Sequence, residues 1–289
     1  MKYAIFLGCT LARSRHYEMA VSKVAERLGI ELVYLDDFAC CGFPVKSVDW
    51  LSSMCLAARN LSVAEAAGVP DIATLCSACT AMLTECSKEL NHSPELKDQV
   101  NEKLAAVNTE YNGNVTVKHF ARILYEDIGL DRLKSEVKRD LTGLRVASHY
   151  GCHYLKPSEI YEGFDDHEFP KTLDELVDVT GAIPVDYQDK MRCCGGSVLA
   201  IDEELCLGIA NEKLDDIKAA GADCITLVCP FCSIMYDDNQ RKIESTFDVS
   251  YNLPVLFYPQ LLGLAMGFEP REIGLNMNRV KPTELIVQI

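Results

Sequence analysis

Cysteine recurs in this chain as a fivefold pattern that occurs twice. Cys9, Cys40, Cys41, Cys76 and Cys79 follow the spacing C-x30-C-C-x34-C-x2-C, and Cys152, Cys193, Cys194, Cys229 and Cys232 follow C-x40-C-C-x34-C-x2-C. The interval from the vicinal pair to the C-x2-C pair is the same in both, which two unrelated scatters of cysteine would not reproduce. The chain therefore reads as a duplication with one thiolate site per copy. Each site has one sulfur more than a tetrahedral zinc or a cubane cluster uses. Residues away from the cysteines repeat as well. Ala66-Ala67-Gly68, Ile72, Cys76, Cys79 and Met82 align without gaps on Ala219-Ala220-Gly221, Ile225, Cys229, Cys232 and Met235. The extra residues of the second copy fall between Gly151 and Cys193, where KPSEIYEGFDDHEFP reads as an inserted loop.

Short apolar runs alternate with stretches of helical period. In the first half the pattern predicts strands at Tyr3–Leu7, Glu31–Leu35 and Asp71–Leu75. It predicts helices over Tyr17–Leu28 (apolar face Met19, Ala20, Val24, Leu28), Trp50–Ala67 and from Cys76 onward. The second half repeats this with strands at Leu144–His149, Ile183–Val185 and Ile225–Val228, and helices at Thr172–Val179, from about Val198 to Ala219, and from Cys229 onward. Pro44 bars a helix directly after the first vicinal pair. Lys88–Leu141 reads as helical stretches around a short strand at Val115–Lys118, connecting the units and covering their faces.

The expected fold class is α/β: two tandem Rossmann-like βαβαβ units, residues 1–140 and 141–289, with parallel sheets. Functional groups gather at the carboxyl ends of the strands in such sheets. Every patterned cysteine follows a predicted strand, so five thiolates separated by long gaps can close on one edge of each sheet.

The net charge of −15 leaves little basis for binding a nucleic-acid backbone, which relies on clustered Lys and Arg. Solubility accounts for the acidity, as does docking of a more basic redox partner. No stretch approaches the roughly 18 apolar residues of a membrane span. Tyr3–Gly8 is too short for a signal-peptide core. Fourteen cysteines without an export signal point to the reducing cytoplasm, where thiols serve metals or redox chemistry.

Sulfur-only ligation without paired histidines points to iron–sulfur, zinc or copper(I). Zinc commonly uses two C-x2-C pairs; each site here offers one such pair, one vicinal pair and one solitary cysteine. Vicinal side chains diverge and hold two neighbouring metals more readily than one small ion. That favours a multi-iron cluster and leaves zinc open in at least one site. The ferredoxin run C-x2-C-x2-C-x3-C-P is absent, so another subunit would have to deliver electrons.

With both tripeptides intact, Cys40-Cys41-Gly42 and Cys193-Cys194-Gly195, the doubled frame resembles the CCG-domain (cysteine-rich domain) family. A free-standing chain with two such motifs is similar to the B subunits of heterodisulfide reductases from methanogenic archaea. The resemblance runs from Cys9 to Cys232 and fills all ten ligand positions. It implies two noncubane 4Fe–4S clusters, one on each five-cysteine set. It also implies reduction of the mixed disulfide of coenzyme M and coenzyme B in methanogenesis. The partners it implies are a small iron–sulfur subunit with two cubane clusters, a flavin-containing subunit, and a hydrogenase or formate dehydrogenase module. The alternatives are an electron-transfer or quinone-linked CCG subunit, which often carries ferredoxin motifs that this chain lacks, and a zinc-stabilised assembly scaffold.

Reducing a disulfide consumes two electrons and yields two thiols. Two equivalent centres facing one cavity would each deliver one electron and hold one departing sulfur. His153, beside Cys152, is a candidate proton donor with an ordinary pKa of about 6.5, or else a structural histidine. His149 ends a predicted strand and reads as a core residue or one backing the ligands. Lys46, Lys156, Lys190 and Arg192, with Arg13 and Arg15, could receive substrate anions, although solvation accounts for each one singly. Gly8, Gly42, Gly151, Gly195 and Gly196 border the ligands, where close backbone approach or a tight turn calls for glycine. Cys55, Cys86, Cys206 and Cys224 fall outside the pattern. Of these, Cys55 and Cys206 read as small buried hydrophobes within helices, and Trp50 reads as packing.

Overall fold

The computed structural model describes residues 1–9 and 13–288. Two four-stranded sheets, parallel throughout, follow one another along the chain. The first holds β1 (Lys2–Phe6), β2 (Glu31–Tyr34), β3 (Asp71–Thr74) and β4 (Thr116–His119) in the order β2-β1-β3-β4. The second holds β5 (Arg145–His149), β6 (Ile183–Val185), β7 (Cys224–Leu227) and β8 (Val255–Phe257) in the order β6-β5-β7-β8. Register repeats with topology: Ala4 lies beside Ile72, and Ala147 beside Ile225, at corresponding positions of the two copies.

The helices that link the strands are α1 (Arg15–Leu28), α2 (Trp50–Ala66), α3 (Ser77–His92), α4 (Pro94–Leu104), α5 (Phe120–Ile123), α6 (Leu130–Ser135), α7 (Thr172–Val179), α8 (Glu203–Ala219), α9 (Pro230–Ser233), α10 (Gln240–Phe247), α11 (Tyr258–Ala265) and α12 (Thr283–Gln288). Each parallel connection needs such a crossover. The central strands β1, β3, β5 and β7 are buried on both faces because helices cover both, most fully at β7, while the edge strands β2 and β4 are partly exposed. Among the described residues no helix is long and apolar enough to cross a membrane.

Four expectations are corrected. Each unit has four strands rather than three. The fourth strand of the first sheet is the short strand expected in the connector, and its counterpart β8 was not anticipated. Helix α8 starts at Glu203 rather than near Val198, because Asp202 caps it: its backbone is extended and its carboxylate accepts the Leu205 N–H at 3.0 Å. Asp49 caps α2 in the same way, at the corresponding distance past its vicinal pair, accepting from Ser52 N at 3.0 Å. Pro44 sits within a 3-10 turn at Phe43–Val45. On α1 the buried face is His16, Tyr17, Ala20, Val21, Val24 and Ala25, while Met19 points to solvent.

That α1 face is covered by the other unit. Helix α11, whose eight residues are all buried, packs on α1, and α6 of the first unit packs on α7 of the second. Tyr17 stacks on Phe257 with ring centroids 3.9 Å apart. The Tyr258 hydroxyl donates to the Leu176 carbonyl at 2.8 Å, and the Lys138 N–H reaches Ala265 O at 2.8 Å. A helix apolar on all sides requires such complete enclosure. Helix α11, which follows β8, thus completes the core of the first unit, while α6 contributes Leu133 and packs on α7 in return.

Candidate metal centre

Strand ends deliver the cysteines. Cys9 and Cys152 follow β1 and β5, while the vicinal pairs follow β2 and β6. Cys76 and Cys229 occupy the N-cap positions of α3 and α9, with Cys79 and Cys232 in the first turn. A helix N-terminus favours the thiolate over the thiol. In each set the last three cysteines are buried: Cys41, Cys76 and Cys79 in the first, Cys194, Cys229 and Cys232 in the second.

The glycine of each CCG tripeptide is dictated by backbone and space. Gly42 has φ +91°, and a Cβ there would lie 2.5 Å from the Ser53 carbonyl oxygen of α2. Gly195 has φ +79°, with the Cys206 carbonyl 3.1 Å from such an atom. The Cys206 thiol returns a hydrogen bond to Gly195 O at 3.0 Å, so this extra-pattern cysteine holds the loop in place. Cys86 and Cys224 are buried, whereas Cys55 is only half-buried, not enclosed as expected.

Mutual effects on protonation link the ten patterned thiols in one file: Cys9, Cys40, Cys41, Cys79, Cys76, then Cys229, Cys232, Cys194, Cys193 and Cys152. The halves join where Cys76 Sγ lies 4.0 Å from Cys229 Sγ. Cys79 and Cys40 donate toward Cys41, which is lowered. Cys152 and Cys194 donate toward Cys193, pulled down to about 2, and Cys232 and Cys76 toward Cys229, which falls well below the ordinary thiol range. Cys152, Cys194, Cys79, Cys76 and Cys232 rise in exchange. Cys193 pushes Cys152 up and Cys194 to about 12, Cys41 raises Cys79, Cys229 raises Cys76, and Cys194 raises Cys232.

Backbone N–H groups also reach the sulfurs, Gly195 N at 3.3 Å from Cys193 Sγ and Gly196 N at 3.4 Å from Cys194 Sγ. Among the described residues no three His, Cys, Asp or Glu side chains are grouped to hold a single metal ion. Soft donors spread along a file, with amides turned toward them, fit a polynuclear sulfur-ligated group.

A cleft of 820 Å³ opens over the second set and is lined by all five of its cysteines. Its opposite wall comes from the first unit, through Phe43, Lys46, Trp50 and Ser77. Cys9 and Cys40 line a separate hollow of 410 Å³ with Leu7, Tyr34 and Phe38. The two sets therefore abut but do not share one cavity as expected. The turn after the first vicinal pair is the reason: it reaches across the cleft, where the Phe43 ring meets His153 edge-on at 4.7 Å.

His153 lines the cleft with Nδ1 3.0 Å from Cys152 Sγ, and burial holds its pKa below the ordinary value. Lys46 and Arg13 are also on the wall, paired with Glu85 at 2.5 Å and Asp238 at 3.3 Å. Lys190 is elsewhere, held by Asp174 at 2.9 Å and Asp186 at 3.4 Å, and Arg192 by Asp189 at 2.8 Å and Glu212 at 2.5 Å. Lys156 and Arg15 are exposed and line no part of the cleft. Trp50, expected as packing, stands 41% exposed at the cleft.

Several polar residues behind the thiols were not singled out from the sequence. Asn60 accepts Ala39 N–H at 2.8 Å and donates to Cys40 O at 3.0 Å, fixing the strand-to-cysteine loop of the first unit. At the corresponding position of α8, Lys213 is fully buried and donates to Lys190 O at 2.7 Å and Arg192 O at 2.9 Å. Burial pulls its ammonium down to about 8 against the opposing pull of Cys232 and Cys194. Superposing the two cysteine frames would have revealed that pairing. His119 donates through Nε2 to Val228 O at 2.8 Å, beside Cys229, and accepts Ala121 N–H at Nδ1.

Fold and site together define a duplicated α/β cysteine-rich protein with one five-cysteine set at the strand ends of each unit. The pattern of the cysteine-rich domain family, CCG, matches residues 3–84 and 146–237, and the chain belongs to that family. It is 39% identical to the B subunit of the ferredoxin/F(420)H(2)-dependent CoB–CoM heterodisulfide reductase of Methanosarcina acetivorans, over 100% of this chain and 97% of that one. It is 32% identical to the membrane anchor subunit of the 8-methylmenaquinol:fumarate reductase of Wolinella succinogenes, over 98% of this chain and 99% of that one. A crystal structure of a hypothetical protein from Helicobacter pylori shares the fold with a TM-score of 0.76 at 18% identity. It covers 97% of this chain, which spans 52% of that one.

Proposed function

We propose that this chain is the catalytic subunit of a disulfide reductase complex. In this reading it reduces the coenzyme M–coenzyme B heterodisulfide to two thiols in methanogenesis and carries one noncubane 4Fe–4S cluster on each five-cysteine set. The observation that carries the reading is the meeting of the two five-cysteine sets, whose Cys76 and Cys229 sulfurs lie 4.0 Å apart, at a cleft lined by Cys229 and large enough for a small substrate. Full-length similarity to the B subunit of a heterodisulfide reductase supports it.

When bound, the clusters supply electrons singly, and cleavage of the disulfide consumes two electrons and two protons. The chain's residues do the rest. Phe43, Trp50, Ile201 and Phe231 present an apolar wall to the alkyl part of the substrate and displace water. Lys46 and Arg13 face its anionic groups. His153, neutral and beside Cys152, relays a proton to a product thiolate. Lys156, Lys190 and Arg192, away from the cleft, make no direct contact in this reading.

The electrons come from a small iron–sulfur subunit with two cubane clusters and a flavin-containing subunit, fed by a hydrogenase or formate dehydrogenase module, and the complex works in the cytoplasm. The test is an anaerobic assay of heterodisulfide cleavage by the assembled complex, with iron analysis expected to give about eight irons per chain. Two zincs and no paramagnetic signal would leave only a scaffold. The Wolinella succinogenes relative favours a second reading, a CCG electron-transfer subunit linked to a quinol. Menaquinol-dependent electron uptake without thiol release in the same complex would select it.

A further inference from the structure

Duplication makes each copy a control for the other, and the two thiol sets have different surroundings. At corresponding positions, the first unit places Phe6, Asn60 and Leu83 behind its cysteines, and the second places His149, Lys213 and Tyr236. All six side chains are fully buried. The second set is therefore backed by an ammonium, an imidazole and a phenol where the first has two apolar groups and a neutral amide.

Among the described residues no carboxylate forms an ion pair with Lys213. Both of its hydrogen-bond partners are backbone carbonyls, those of Lys190 and Arg192, immediately before Cys193. The Tyr187 ring lies 5.5 Å from Nζ. Neither ring nitrogen of His149 has a hydrogen-bond partner among the described residues, nor does the Tyr236 hydroxyl, and the two rings meet edge-on at 4.9 Å. Buried donors left unpaired in the protein are costly unless a bound acceptor satisfies them. His149 ends β5, three residues before Cys152.

We infer that Lys213, with His149 beside it, makes the second thiol set the more readily reduced of the two. This rests on the reading that both sets hold clusters. The step is a one-electron uptake from an external reductant, with no bond made or broken. It adds negative charge to the site, and in a low-dielectric interior a nearby cation and N–H donors stabilise that charge. Lys213 acts here as a positioning and electrostatic residue, not a catalytic one. Its consequence is directional: the first electron to arrive settles on the set that lines the cleft.

The test is a dithionite titration of the anaerobically reconstituted full chain, followed by EPR. Signals are assigned with Cys40→Ser, which disrupts the first set, and Cys193→Ser, which disrupts the second. The higher-potential signal should vanish in Cys193→Ser. Lys213→Asn installs the residue of the first unit. It should lower the reduced-to-oxidised ratio of that signal at fixed potential at least about tenfold, or about 59 mV for one electron, and leave the other signal unmoved. Lys213→Arg should restore most of the shift. If Lys213→Asn loses its iron, His149→Phe decides by the same readout. Full iron content with an unmoved midpoint, or loss of the higher signal in Cys40→Ser, overturns this inference alone. A chain that takes up no iron at either set overturns the functional reading as well.

Discussion

Cys193 is the most exposed thiol of the second set and the one toward which Cys152 and Cys194 both donate. Replacing it removes the shared acceptor of that set and leaves the first untouched. Cys193→Ala is expected to abolish heterodisulfide cleavage in the anaerobic complex while about half the iron remains. Substantial residual turnover would discard a scheme that needs both sets. His16 makes a separate prediction, about stability. It is buried on α1, and burial lowers its pKa to about 4, only partly offset by Asp238. The unfolded chain binds that proton near the ordinary value of about 6.5. The contribution of His16 is therefore complete above about pH 6.5 and is lost as pH falls toward about 4, amounting to about 3 kcal/mol in full. Urea midpoints measured at about pH 7 and about pH 5 should fall less in His16→Gln than in the parent. The ten thiols were legible because cysteine is scarce and its intervals repeat. Lys213 was not, because one lysine in an amphipathic helix looks like any solvated one, and Trp50 looked like core because aromatic burial is the common case.

Among the elements, the stretch from Val198 to Asp202 shows how a start signal overrides propensity. Its Val, Leu, Ala and Ile extend the apolar pattern of the helix that follows, so periodicity reads through them. The Asp202 carboxylate nevertheless accepts the Leu205 amide and sets the first turn. Asp202→Ala should cost about 1 kcal/mol, seen as a lower denaturation midpoint with an unchanged slope. An unchanged midpoint would mean that loop packing, not the cap, sets the boundary. The end of α7 and the whole of β6 were read correctly because Gly181 and Pro184 mark them. Strand β8 is hidden from the sequence because its three residues, set between Pro254 and Pro259, are too few to show alternation.

At the scale of the whole molecule, the doubled cysteine frame announced two parallel-sheet units, and two such sheets are present. It could not announce how they engage. Contacts such as Arg27 to Met266 O at 3.4 Å join residues far apart in the chain and leave no periodic trace in the sequence. The Tyr17–Phe257 stack is the buried centre of that engagement. Phe257→Ala should destabilise the chain by about 3–5 kcal/mol. Because both cores depend on it, the loss should lower a single unfolding transition rather than split off one half. Two separated transitions in calorimetry would show that the units unfold independently.

The reciprocal seating of α6 on α7 and of α11 on α1 also bears on ancestry. A solitary half-length unit would leave its first helix bare and its last, fully greasy helix with no pocket to occupy. Two identical halves related by a twofold axis would cure both defects at once. Within one fused chain each half keeps its partner covered while the two sequences differ, as Asn60 and Lys213 do at one equivalent position.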